Sequence, residues 1–71
     1  MNENKHAKFR RLAKLRGERV LKELQLVGNL SNRNNYEYNE AEVRALFSAI
    51  EDELKLAKLG FLRSKKRGIK F

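Results

Sequence analysis

The chain has 71 residues, with 17 Lys and Arg against nine Asp and Glu and a formal net charge of +8. It contains no cysteine and one histidine, His6, which excludes disulfides, thiolate metal sites and a histidine-based zinc site within one chain. No apolar run approaches the roughly 18 residues of a membrane span, and no apolar secretory core follows the N-terminal charges, so a cytoplasmic protein is expected.

A chain this short makes one domain at most and buries only about 60% of its unfolded surface. With disulfides and metals set aside, the remaining staple is a partner subunit. Disorder of the whole chain is not expected, because 41% of the residues are apolar and they recur at helical spacing. The charge is unevenly spread. Residues 1–27 carry eight bases and three acids, residues 28–58 four bases and six acids, and residues 59–71 five bases and no acid. Two basic ends around a mildly acidic middle point to a polyanion, most simply nucleic acid held through its phosphates.

In chain order, the first predicted helix covers about residues 4–27. Phe9, Ala13, Val20, Leu24 and Val27 step by three, four or seven residues and share one stripe, with Leu12 at its edge. Gly28 reads as a left-handed stop. Gly17, inside the helix, is either a tolerated defect or a point of close approach for another helix, at a cost of about 1 kcal/mol relative to alanine. Arg16 falls in the middle of the stripe. It snorkels to the edge or pairs across an interface with Glu53 or Glu51, readings that rank above a third, contact with nucleic acid.

Residues 28–38, GNLSNRNNYEY, lack a helical period and read as a connection. The second helix, about residues 39–59, opens with a capping box. Asn39 is the N-cap, Glu42 sits at N3, and Tyr38 and Val43 form a hydrophobic staple. Val43, Phe47, Ile50, Leu54 and Ala57 make its apolar stripe, flanked by Leu46. Gly60 reads as the C′ stop, with Phe61 folded back over Leu56. Residues 62–71, LRSKKRGIKF, then form a basic tail that is either disordered or ordered by a partner.

Two helices with a short connection predict an all-α antiparallel hairpin over residues 1–61, each helix roughly 30 Å long. A second apolar strip is visible on each helix: Leu12, Leu15 and Leu26 on the first, and Ala45, Ala49 and Leu56 on the second, with Leu59 at its edge. A lone hairpin would leave these strips wet, whereas a homodimer forming a four-helix bundle buries them.

No catalytic arrangement is visible, no cofactor is implied, and an enzyme is not expected. His6 lacks a carboxylate or nucleophile partner. Glu51, Asp52 and Glu53 point about 100° apart and cannot converge on one metal. Glu18 before Lys22, Glu40 before Arg44 and Glu51 before Lys55 are spaced for surface ion pairs. The candidate nucleic-acid contacts are Lys8, Arg11, Lys14, Arg19 and Lys22 on the first helix, Arg33 in the connection, and Arg63, Lys65, Lys66 and Arg67 in the tail. Lys5, Arg10 and Lys70 add to the same field, and Asn34, Asn35, Tyr36, Phe61 and Phe71 are types that read or stack on bases.

The segment Leu26 to Tyr38, LVGNLSNRNNYEY, followed by Asn39 to Ile50, NEAEVRALFSAI, resembles a group of short uncharacterised bacterial proteins of plasmids, phages and other mobile elements. The likeness covers about residues 8–56. It implies a small helical hairpin and no established activity, so it assigns no functional residue. The short RNA-binding hairpin that dimerises as a four-helix bundle in plasmid copy control is similar in architecture only.

The expectation is therefore a dimeric, basic, nucleic-acid-binding hairpin. RNA or another structured nucleic acid is slightly preferred over DNA, because no helix-turn-helix reader is apparent. The alternative is an adaptor or inhibitor that binds a protein through its apolar faces. A membrane-surface role ranks below both, because the first helix's stripe is claimed by the second helix.

Overall fold

A computed structural model describes residues 3–66, with side chains as far as residue 63. The chain is all-α: α1 spans Lys5–Asn29 and α2 spans Glu40–Lys66, and there is no strand among the described residues. The connectivity is the helix–connection–helix order expected. The chain divides into two compact units within the connection, between Glu37 and Tyr38.

In the first unit, α1 is proline-free and rich in Lys, Arg, Leu and Glu, all good helix formers. Asn4 caps it. Its backbone is extended (φ −77°, ψ 172°), and its Oδ1 accepts a 2.7 Å hydrogen bond from the Ala7 N–H, one of the donors a helix start leaves unpaired. The other end differs from the sequence expectation. Gly28 does not stop α1; it is a helical residue, and no described residue has positive φ. The helix instead ends by tightening. Leu30 N–H donates to the Val27 carbonyl at 3.0 Å, and Ser31 N–H to the Gly28 carbonyl at 3.1 Å. These i→i−3 bonds satisfy terminal carbonyls with right-handed backbone alone, so glycine's special freedom is not used.

Asn32 then organises the connection. Its carbonyl accepts from Asn35 N–H at 3.1 Å and Tyr36 N–H at 3.0 Å, while its Oδ1 accepts from Asn34 N–H at 3.0 Å. A short amide side chain that bonds the backbone two residues on is why asparagine suits such turns.

In the second unit, the expected capping box is formed in both directions. Glu42 N–H donates to Asn39 Oδ1 at 2.8 Å, and Asn39 N–H donates to Glu42 Oε1 at 3.0 Å. Glu40 and Glu42 in the first turn also complement the positive end of the helix dipole. Tyr38 and Val43, the staple pair, are both half-buried.

The end of α2 corrects a second expectation. The helix passes through Gly60 and Phe61 to Lys66, so Gly60 is not a left-handed stop and there is no Schellman ending at Phe61. Leu62, Arg63, Lys65 and Lys66 are good helix formers, and bases suit a helix C-terminus. Together these offset the roughly 1 kcal/mol that one internal glycine costs. The first five residues of the expected tail, 62–66, are therefore helical, while residues 67–71 lie outside the described range. Phe61 consequently continues the apolar stripe of α2, four residues beyond Ala57 and seven beyond Leu54.

No described residue is buried. Only Leu12, Val27, Tyr38, Val43 and Ile50 are half-buried; every other residue described to the side chain is exposed.

Two substitutions test these helix ends. Asn39→Ala should destabilise α2 by roughly 1 kcal/mol through loss of the cap, seen as a lower thermal midpoint by circular dichroism. Gly60→Ala should raise that midpoint, by an effect of about 0.5–1 kcal/mol. A Cβ there would meet nothing within 4 Å. A loss on Gly60→Ala would instead indicate a left-handed residue.

Candidate nucleic-acid interface

The bases of α1 are ordered by the helix itself. Lys8, Arg11, Leu15, Arg19, Lys22 and Leu26 follow one another by three or four residues, so they form one line along the surface. Lys14 lies one row beside it. This line runs opposite the stripe of Phe9, Ala13, Val20, Leu24 and Val27, because the two sets are offset by about half a helical turn. From Lys8 to Lys22 the line extends about 21 Å at 1.5 Å per residue. Lys8, Arg11, Lys14, Arg19 and Lys22 are all exposed. Leu15 (43%) and Leu26 (49%) are also exposed, so part of the second apolar strip lies within the basic line.

Arg11 differs from its neighbours, because it already holds a carboxylate. Its Nε donates to Glu3 Oε2 at 2.8 Å and its Nη2 to Glu3 Oε1 at 3.0 Å. This is the two-pronged geometry in which a guanidinium grips a planar anion. The Arg11 hydrogen bond holds the Glu3 carboxyl below its ordinary range, with Arg11's charge acting in the same sense and desolvation opposing both. In turn, Glu3 holds the Arg11 guanidinium above its usual value. Glu3 also supplies the negative charge that α1 lacks in its first turn.

The spaced pairs resolve differently. Glu40 and Arg44 approach to 3.9 Å. Glu18 with Lys22 and Glu51 with Lys55 are not closed as ion pairs. Arg16 is exposed. Arg33, in the Asn32-centred turn, and Arg63, on α2, are exposed as well. Lys65 and Lys66 are part of α2, but their side chains lie beyond those described, and Arg67 lies outside the described residues. The bases of α1 and those of α2 thus belong to two separate units.

Sequence reasoning did not find the Glu3–Arg11 pair. Their spacing of eight exceeds the three or four that pairs residues within one helix. It closes because Glu3 precedes the cap at Asn4. The available signal was an acid immediately before a helix whose first turns are otherwise basic.

Among the described residues, no cluster of three or more His, Asp or Glu could hold a metal ion. Among them, too, no helix is long and apolar enough to cross a membrane. No protein-family model, curated protein or solved structure matches the chain.

Glu3 should titrate below the ordinary carboxylate range, and Arg11→Gln should move it upward, as read from its side-chain carboxyl resonance. A group with a depressed folded value contributes stability above its unfolded range and loses it as pH falls through the depressed value. The helical signal at the start of α1 should therefore weaken on acidification below the ordinary Glu range. In Arg11→Gln this step should shift upward and shrink.

Proposed function

We propose that this chain is a small cytoplasmic nucleic-acid-binding protein that works as a homodimer and contacts phosphates without strong sequence preference. The observation that carries the reading is the exposed line of Lys8, Arg11, Arg19 and Lys22 on α1, with Lys14 beside it and a net charge of +8 overall. Regularly placed cations over about 21 Å match a polymer that presents one charge every few ångströms. Arg33 and the C-terminal bases Arg63, Lys65, Lys66 and Arg67 extend the positive field. RNA or a structured nucleic acid is preferred, since neither helix has a reader helix's setting. A regulatory role on a mobile element fits the resemblance of residues 26–50.

The dimer is proposed as two helical hairpins paired into a four-helix bundle. What supports it is the second apolar strip, on which Leu15, Leu26 and Leu56 are at least 43% exposed. Each would contribute about 1.5–3 kcal/mol if fully buried. The same exposed faces favour the second reading, an adaptor that docks a protein.

Titration against labelled RNA and DNA at several salt concentrations separates the two readings. A double Lys8→Gln, Lys22→Gln variant should keep its helicity and bind more weakly. Its salt slope should flatten by about 0.9 per lost contact on duplex, or about 0.7 on single strands. If the parent chain binds neither polymer at low salt, the nucleic-acid reading fails and the adaptor reading takes its place.

A further inference from the structure

Glu3 occupies a directional anion-binding group on α1, the Arg11 guanidinium. Arg11's Nε–Nη2 edge holds two carboxylate oxygens at 2.8 and 3.0 Å, and a phosphodiester presents two non-bridging oxygens to the same edge. Arg11 is not isolated. Ala7, Arg10, Arg11 and Lys14 stand at relative positions 0, 3, 4 and 7, the four corners of one patch on a helix surface. They line an open depression together with Phe9 and Ala13. Ala7 gives the patch a low floor, and three cations stand around it. Glu3 reaches this patch from beyond the helix start, and its carboxylate is the anion seated on Arg11.

We propose that Glu3 is an internal stand-in for a nucleic-acid phosphate, which must be displaced before the Arg10–Arg11–Lys14 patch binds its ligand. The proposal rests on the nucleic-acid reading and adds a regulated phosphate site to it. The energetics suit exchange: the pair is exposed, with side chains 56% and 34% accessible. Exposed ion pairs are weak and screened by salt, so a polymer offering many phosphates displaces a single carboxylate. Glu3 therefore tunes affinity without abolishing it, and it disfavours short or weakly charged ligands most.

The test compares Glu3→Gln with the parent chain, binding labelled RNA and DNA at low salt. Glu23→Gln serves as a charge-matched control, and Glu3→Gln is repeated in an Arg11→Gln background. Circular dichroism reads the small loss of helicity expected at the start of α1 in Glu3→Gln, which would weaken binding and so cannot produce the gain. Glu3→Gln should tighten binding about two- to five-fold, the range an exposed ion pair can withhold. It should exceed Glu23→Gln, and its gain should fall to the Glu23→Gln level when Arg11 is absent. A gain equal to that of Glu23→Gln, or one undiminished in the Arg11→Gln background, overturns the proposal while leaving the nucleic-acid reading intact. Absence of binding by the parent and by every variant removes the reading and the proposal together.

Discussion

A helix of 25 or 27 residues satisfies its own backbone hydrogen bonds, but it has no interior in which to place an apolar stripe. Both α1 and α2 carry such a stripe, and no described residue is buried. Helical stability in proteins comes mostly from packing an amphipathic face, and short chains need additional staples. Here no disulfide can serve, because the chain has no cysteine, and among the described residues no cluster of His, Asp or Glu could hold a metal ion. The stripes are thus the main unspent source of stability, and whatever covers them sets the working form of the protein.

The circumference of α1 is divided between two demands. Phe9, Ala13, Val20, Leu24 and Val27 call for an apolar neighbour, whereas Lys8, Arg11, Lys14, Arg19 and Lys22 call for water or an anion. The division is not clean. Arg16 stands within the apolar stripe, while Leu15 and Leu26 stand within the basic line. A partner helix over Leu15 and Leu26 would lie beside Lys8 and Arg19, whose long stems can cover apolar surface while their charged ends stay wet. Arg11 and Lys22 share the line of Leu15 and Leu26 and would border the same contact, whereas Lys14 lies a row farther round.

Features governed by short-range chemistry were legible in the sequence. Asn39 and Glu42 stand three apart and satisfy each other's backbone donors, so that start could be read from residue type and spacing. Glu40 and Arg44 were found by the same kind of rule. The helix ends were less legible, because a glycine permits a left-handed stop without requiring one. After Gly28 a tightened turn satisfied the carbonyls, and after Gly60 the helix-forming run Leu62 to Lys66 outweighed one glycine's entropy. The reassignment of Phe61 from cap to stripe followed directly. Glu3 was missed because it acts from outside the helix it serves. Of the ten candidate contacts, Lys65, Lys66 and Arg67 lie beyond the described side chains.

The most direct measurement is helicity and molecular mass as functions of concentration, by circular dichroism and light scattering on the same samples. If covering the stripes stabilises the fold, the mass should approach twice the 8.4 kDa chain at micromolar concentration. The thermal midpoint should rise with concentration, as mass action requires for association-coupled folding. A cooperatively melting species of 8.4 kDa with a concentration-independent midpoint would contradict the account.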